Sequence, residues 1–312
     1  MARHKVFIDC DPGVDDCIAL MVALGSPDDI ELVGVGVVAG NVPVDICARN
    51  AAGVLALAGR SEVPLHVGCP RPLIVPPEFA EHIHGPSGLG DAELPEGELG
   101  HHPHAVDALC ALLASAEPAS ITVVITGPMT NLAVALVRSP QIAVGIKEIV
   151  IMGGAREAGG NITASAEFNI HADPHAAHIV LTCGRPITMI GLDATLQIRC
   201  TAERMARMES SGHRAVKAAK AMVDHVNRVY GKIYGTEGAA LHDPCTVGYL
   251  LAPALFTLRP AQVAVEMNQG LTRGHTAVDF QVTTGAAANV NWVTELDAPR
   301  LFDLFIERME RL

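Results

Sequence analysis

Asp9, Asp11, Asp15 and Asp16 fall in one short run, Val6-Phe7-Ile8-Asp9-Cys10-Asp11-Pro12-Gly13-Val14-Asp15-Asp16, which contains no lysine or arginine. Carboxylates crowded in this way repel one another unless a cation or shared protons compensate. Asp11, Asp15 and Asp16 are hard oxygen ligands, and an all-oxygen site suits Ca2+ or Mg2+. The run therefore reads as a metal or catalytic site. A plainer reading makes Asp15 and Asp16 first-turn helix acids that favour the helix dipole, with Asp11 as a cap. It accounts for one or two acids at this junction rather than four.

The elements around the run explain how it is positioned. Residues 5–9 read as a buried strand, and an apolar helix follows from Val14 to Leu24. Residues 32–39 are a continuous Val-rich run, as expected of a strand covered on both faces, and Gly40-Asn41 follows it. A helix opened by Pro43 runs to about Ala58, and 65–67 is a further short strand. The β-α-β-α-β order predicts a parallel sheet with right-handed crossovers. Strands are also expected at 120–125, 148–152 and 186–191, an antiparallel pair at 262–266 and 275–282, and a last strand at 289–293. Residues 69–103 break the rhythm with Pro, Gly and His, which fits either an active-site flap or a solvated loop. In a parallel sheet the carboxyl ends of the strands share one edge, where a pocket is expected. Asp11, Asn41, Thr126, the 161–169 loop and Asp193 each follow a strand. His242-Asp243 precedes a Pro-bounded helix that could close such a pocket.

With 312 residues and no internal repeat or linker, residues 1–312 read as one α/β domain. Hydrophobic residues make up 49% of the chain and charged residues only 18%. That balance fits a large core together with surface hidden in contacts between subunits. The net charge of −12 disfavours nucleic acid as a partner. The sequence offers no apolar run of bilayer-spanning length and no signal peptide, so the expected location is the cytoplasm. Eight scattered cysteines without a CxxC motif fit a reducing compartment. A dinucleotide GxGxxG fingerprint, a P-loop, a GxSxG elbow and an HExxH zinc motif are all missing. Asp9-Cys10-Asp11 is similar to the start of phosphatases with an aspartate nucleophile. However, Gly13 replaces their usual Thr or Val, and Asp15-Asp16 has no role in that scheme.

The octet Asp9-Cys10-Asp11-Pro12-Gly13-Val14-Asp15-Asp16 resembles the signature of the inosine-uridine preferring nucleoside hydrolases, the nucleoside N-ribohydrolases. Gly40-Asn41, His82-Ile83-His84-Gly85, Thr126-Gly127, Met152-Gly153-Gly154, Asn161, Ala166-Glu167-Phe168-Asn169 and His242-Asp243-Pro244-Cys245 extend the likeness over nearly the whole chain. The resemblance implies a mostly parallel sheet flanked by helices with a Rossmann-like core, and one Ca2+ per subunit. It implies carboxylate ligands at Asp11, Asp15, Asp16 and Asp243, with Thr126 adding its backbone carbonyl. Asp11 would also be the general base. Asp15, Asn41, Asn169 and Asp243 would hold the ribose 2′- and 3′-hydroxyls. Asn161, Glu167 and Asn169 would hold the 5′ end, with Met152 under the sugar. His84 would help close the site, and His242 would be the acid for the leaving base.

The implied reaction is hydrolysis of ribonucleosides to free base and ribose, by a homodimer or homotetramer. Tyr230 and Tyr234 are candidate base contacts. Trp292 is the only tryptophan, and its place near the C-terminus leaves no obvious indole stack for a purine. The expectation therefore leans to uridine and cytidine and a role in pyrimidine salvage, with inosine possible. The alternatives are a purine-preferring or non-specific hydrolase, and a nucleoside- or ribose-binding protein without turnover.

Overall fold

The computed structural model describes residues 3–235 and 238–312, apart from the side chain of Tyr234. Among the described residues the strands are β1 (His4–Cys10), β2 (Ile30–Val37), β3 (Leu65–Val67), β4 (Ile121–Ile125), β5 (Ile146–Met152), β6 (Ile187–Ile190), β7 (Phe256–Val265), β8 (Thr276–Asp279) and β9 (Val290–Leu296). They form one sheet in the order β3-β2-β1-β4-β5-β6-β9-β7-β8. Pairing is parallel from β3 through to β9. β7 runs antiparallel to β9, and β8 antiparallel to β7. The expected mostly parallel α/β sheet is thus observed.

Apolar runs such as Ile121–Ile125, buried at every position, sit mid-sheet with helices on both faces. One core cluster packs Val14–Leu24, Val44–Ala58 and Ala298–Met309 against one face. A second packs Ala105–Ser115, Thr130–Arg138 and Pro174–Leu181 against the other. The helix Val14–Leu24 is apolar nearly all round and is buried along its length except at Asp15. Burying Ile18, Leu20 and Met21 stabilises the fold by about 1.5–3 kcal/mol each. That anchorage fixes the acid-bearing first turn of the helix.

The chain builds β1, β2 and β3 outward in one direction, then crosses back to place β4 on the other side of β1. This reversal opens a crevice at the carboxyl ends of β1 and β4. Asp11 follows β1, Asn41 follows β2, Thr126 follows β4 and Met152 ends β5, so all four reach one edge.

Two expectations shift. The strand expected at 262–266 begins earlier, at Phe256, and carries Pro260 inside it. β7 pairs with β9 over Phe256–Ala261 and with β8 only from Gln262 onward. Pro260 therefore lies where one side of the strand has no partner and a missing N–H is tolerated. The irregular 69–103 segment is a flap against the body. Ala80 N–H donates to Asn41 O at 2.9 Å, and Asn50 Nδ2 donates to both Pro12 O (2.9 Å) and Ser87 O (2.8 Å).

Candidate active site

A pocket of about 810 Å³, mouth included, opens at this edge. It brings together Asp15, Asn41, His84, Thr126, Met152, Asn161, Glu167, Asn169, Tyr230, His242 and Asp243. Asp11 and Asp16 lie fully buried beneath its floor. The Tyr234 side chain lies outside the described residues. Asp193 is not in the lining. Its carboxylate accepts the N–H groups of Arg156, Glu157 and Ala158 and so fixes the loop after β5.

The floor is acidic. One carboxylate oxygen from each of Asp15, Asp16 and Asp243 lies within 4.8 Å of the other two. Burial, and then Asp16, pushes the Asp11 carboxyl well above the usual carboxylate range. Burial, followed by Asp15 and Asp16, does the same to Asp243. The Asp16 carboxyl is raised by burial and then by Asp15. Asp11 Oδ1 is buried and has no hydrogen-bond partner. Oxygen donors drawn together, each destabilised by its neighbours, with one left unsatisfied, fit a hard divalent cation. Thr126 O accepts one bond, from Asn169 Nδ2 at 2.7 Å, and keeps a second lone pair.

Neutral groups hold the acids in place. Asp16 Oδ1 accepts from Thr126 Oγ1 (2.7 Å) and Asp11 N–H (3.2 Å), and its Oδ2 accepts from Gly13 N–H (3.1 Å) and Asn41 Nδ2 (3.0 Å). Asp16 is thus both a helix-capping acid and a member of the cluster, so the plainer reading of the sequence also holds for it. Asn41 N–H donates to Asp11 Oδ2 at 2.7 Å. Asp9 stands apart from the other acids. Its Oδ1 accepts from Asn131 Nδ2 at 2.8 Å, and burial raises its pKa to about 7.

Gly40 allows the chain to pass close to Asp11. A Cβ there would lie 2.0 Å from Asp11 Oδ2 and 2.8 Å from Pro128 Cδ. Gly40→Ala is expected to displace Asp11 and lower kcat about 100-fold in a folded protein, measured by steady-state kinetics beside circular dichroism.

Glu167 caps the helix Phe168–Ala172. Its Oε1 accepts Asn169 N–H, and its Oε2 accepts the N–H groups of Gly154 and Ile170. Burial raises its pKa to about 7 against the pull of those three donors. Val14 N–H donates to His84 Nδ1 at 3.0 Å, which places the ring proton on Nε2. Burial drives the His84 pKa down to about 4. His242 Nδ1 pairs with Thr195 Oγ1 at 2.7 Å, whereas its Nε2 is buried without a partner. Burial also lowers the His242 pKa.

Sequence reasoning missed part of the apolar lining, Val223 and Val226 of the helix Arg214–Tyr234 among it. It also missed the Thr126 hydroxyl and the Thr195 support under His242. Apolar residues on helices read as core, and a lone Thr carries no signal of its own.

Fold and site together define an α/β enzyme with a carboxylate-floored pocket at the sheet's switch point. Residues 6–303 match the family model described as inosine-uridine preferring nucleoside hydrolase. The chain is 37% identical over 312 residues to the inosine-uridine preferring nucleoside hydrolase of Leishmania major, covering 99% of this chain and 98% of that protein. It is 38% identical over 305 residues to the pyrimidine-specific ribonucleoside hydrolase RihA of Citrobacter koseri, covering 97% of each. The solved structure of the purine-preferring ribonucleoside hydrolase from Gardnerella vaginalis superposes with a TM-score of 0.89 at 34% identity, covering 98% of each chain. The chain belongs to the inosine-uridine preferring nucleoside hydrolase family and is an enzyme that cleaves nucleoside N-glycosidic bonds.

Proposed function

We propose that this enzyme hydrolyses ribonucleosides, pyrimidine nucleosides foremost, to free base and ribose with one calcium ion per subunit. The observation that carries this reading is the convergence of Asp15, Asp16 and Asp243 on the floor of a pocket walled by Asn41, Asn161 and Asn169. Asp11, Asp15, Asp16, Asp243 and the Thr126 carbonyl would hold the ion. An ion held there would offset the acids and would supply Lewis-acid chemistry, attracting the ribose 2′- and 3′-hydroxyls and lowering the pKa of the attacking water.

The residues then divide the work. Asp11, through its unsatisfied Oδ1, takes the proton as the water oxygen bonds to C1′. The C1′–N bond breaks and its electron pair leaves with the base, building positive charge on the ribosyl ring that the surrounding carboxylates stabilise. Asp15, Asn41, Asn169 and Asp243 bind the 2′- and 3′-hydroxyls. Asn161, Glu167 and Asn169 bind the 5′ end above Met152. His242 supports the departing base with a proton or hydrogen bond at Nε2, and His84 closes the pocket from the flap.

Two observations support the pyrimidine preference. Trp292 is buried in β9 against Gly191, so the chain's one indole does not stack on a base. The pyrimidine-specific Citrobacter relative, at 38% identity, is also somewhat more similar to this chain than the purine-preferring Gardnerella enzyme, at 34%. The deoxy sugar supplies the test of the hydroxyl clamp. 2′-Deoxyuridine, which leaves those polar groups unmatched, is expected to be cleaved with kcat/KM about 1,000-fold below uridine. Equal rates on the two substrates would remove the hydroxyl clamp from the mechanism.

The same reading places the enzyme in the cytoplasm as a homodimer or homotetramer. Its eight cysteines are free thiols, as in a reducing compartment. Among the described residues no helix is long and apolar enough to cross a membrane.

A further inference from the structure

We infer that Arg273, on the connection between β7 and β8 and outside the pocket lining, is a positioning residue that latches the flap over the sugar end of the pocket through Glu78. The inference rests on the proposed ribonucleoside pocket. The Arg273 side chain is 10% exposed and reaches Glu78 Oε1 at 2.6 Å across 195 residues of sequence. The same guanidinium contacts His171 Nε2, and His171 also meets Glu78 Oε2 at 3.3 Å.

His171 belongs to the helix Phe168–Ala172, which carries Asn169, and Glu78 lies two residues before Ala80, whose N–H is held by Asn41 O. The latch therefore joins three parts of the site, namely the flap, the sugar-binding helix and the turn after β2. The connection is shaped for this contact. Gly274 adopts φ +77°, and a Cβ there would fall 2.6 Å from His171 Cα, so the turn lies directly on that helix. His275 pairs with Ala166, and its Nδ1 meets Ser165 O at 3.2 Å, which braces the loop that carries Asn161.

A flap that is closed only part of the time lowers apparent affinity in proportion to its open fraction. Arg273→Met, Glu78→Gln and the double variant can be compared by steady-state kinetics on uridine and by amide hydrogen exchange of the metal-loaded enzyme. Each single variant is expected to raise KM about fivefold, the upper range for a partly exposed ion pair, with kcat within about twofold. The Ala80 and His84 amides are expected to exchange about fivefold faster, with the β1 and β4 amides unchanged. The double variant is expected to go no further than Arg273→Met, because both changes break one pair.

Unchanged exchange at Ala80 and His84 overturns the inference. A loss confined to kcat and melting temperature also overturns it, as that is the signature of a merely structural arginine. If the wild type cleaved no ribonucleoside, the proposed function would fail, and the exchange of those two amides alone would still decide whether the latch exists.

Discussion

Asp243→Asn is expected to move stability and activity in opposite directions. The folded chain holds oxygens of Asp15, Asp16 and Asp243 within 4.8 Å of one another. Burial and those two neighbours already push the Asp243 carboxyl well above its ordinary range. The amide keeps the shape and removes one charge, relieving about 1–2 kcal/mol and raising the melting temperature in chelator by about 2–6 °C. Calcium at a thousandfold excess over its Kd is expected to stabilise the wild type by about 4 kcal/mol and the variant far less. Ribose release is expected to fall about 100- to 1,000-fold, because on the proposed mechanism the variant loses a metal ligand and a sugar contact together. Calorimetry with chelator and with calcium, beside a reducing-sugar assay, reads all three quantities. A variant that melts lower than wild type in chelator would show that the three acids do not repel one another in the folded chain.

Asp11→Ala is expected to reduce kcat by about 1,000-fold or more, the range lost with a positioned general base. Alanine also strands Asn41 N–H, which donates to Asp11 Oδ2 at 2.7 Å, and this costs about 1–3 kcal/mol of stability. Asp11→Asn separates the two effects. Its side-chain oxygen can still accept from Asn41, so stability is expected to stay near wild type. It cannot take the proton from water, so kcat is expected to fall as far as in the alanine variant. Thermal melts and single-turnover ribose release from both variants distinguish chemistry from scaffold. Retention of a tenth or more of the activity by Asp11→Asn would assign the base to another group.

The acidic floor was legible because charge is conspicuous against apolar strands. Asp11, Asn41, Thr126 and Met152 follow or end runs that could only be buried strands, and the rule for parallel sheets brings such ends to one edge. The same rule misplaced Asp193. It does lie beyond β6, but three N–H groups of the neighbouring loop claim its carboxylate. Strand-end position alone does not reveal which polar groups a nearby loop will satisfy.

The four acids of the first run also looked alike in sequence. Only their partners separate Asp9, tied to Asn131, from Asp16, tied to Thr126 and Gly13. Those partners lie more than 100 residues away for Asn131 and Thr126, and local pattern carries no trace of such pairs. The wall formed by Val223 and Val226 was illegible for the opposite reason, since an apolar residue on a helix carries the same signature whether it faces a core or a ligand. Arg273 in a glycine-rich turn reads as a solvated cation until the fold places His171 and Glu78 around it.

The most direct test is release of reducing sugar from uridine, cytidine, inosine and adenosine by the purified wild-type protein in calcium, with Asp11→Ala as the control. The expected result is ribose and free base from uridine and cytidine, slower release from inosine and adenosine, and near loss of all four activities in the variant. Inosine and adenosine cleaved faster than the pyrimidine nucleosides would overturn the base preference alone. Calcium binding with no ribose from any of the four, or equal rates from wild type and variant, would contradict the proposed hydrolysis at this acidic floor.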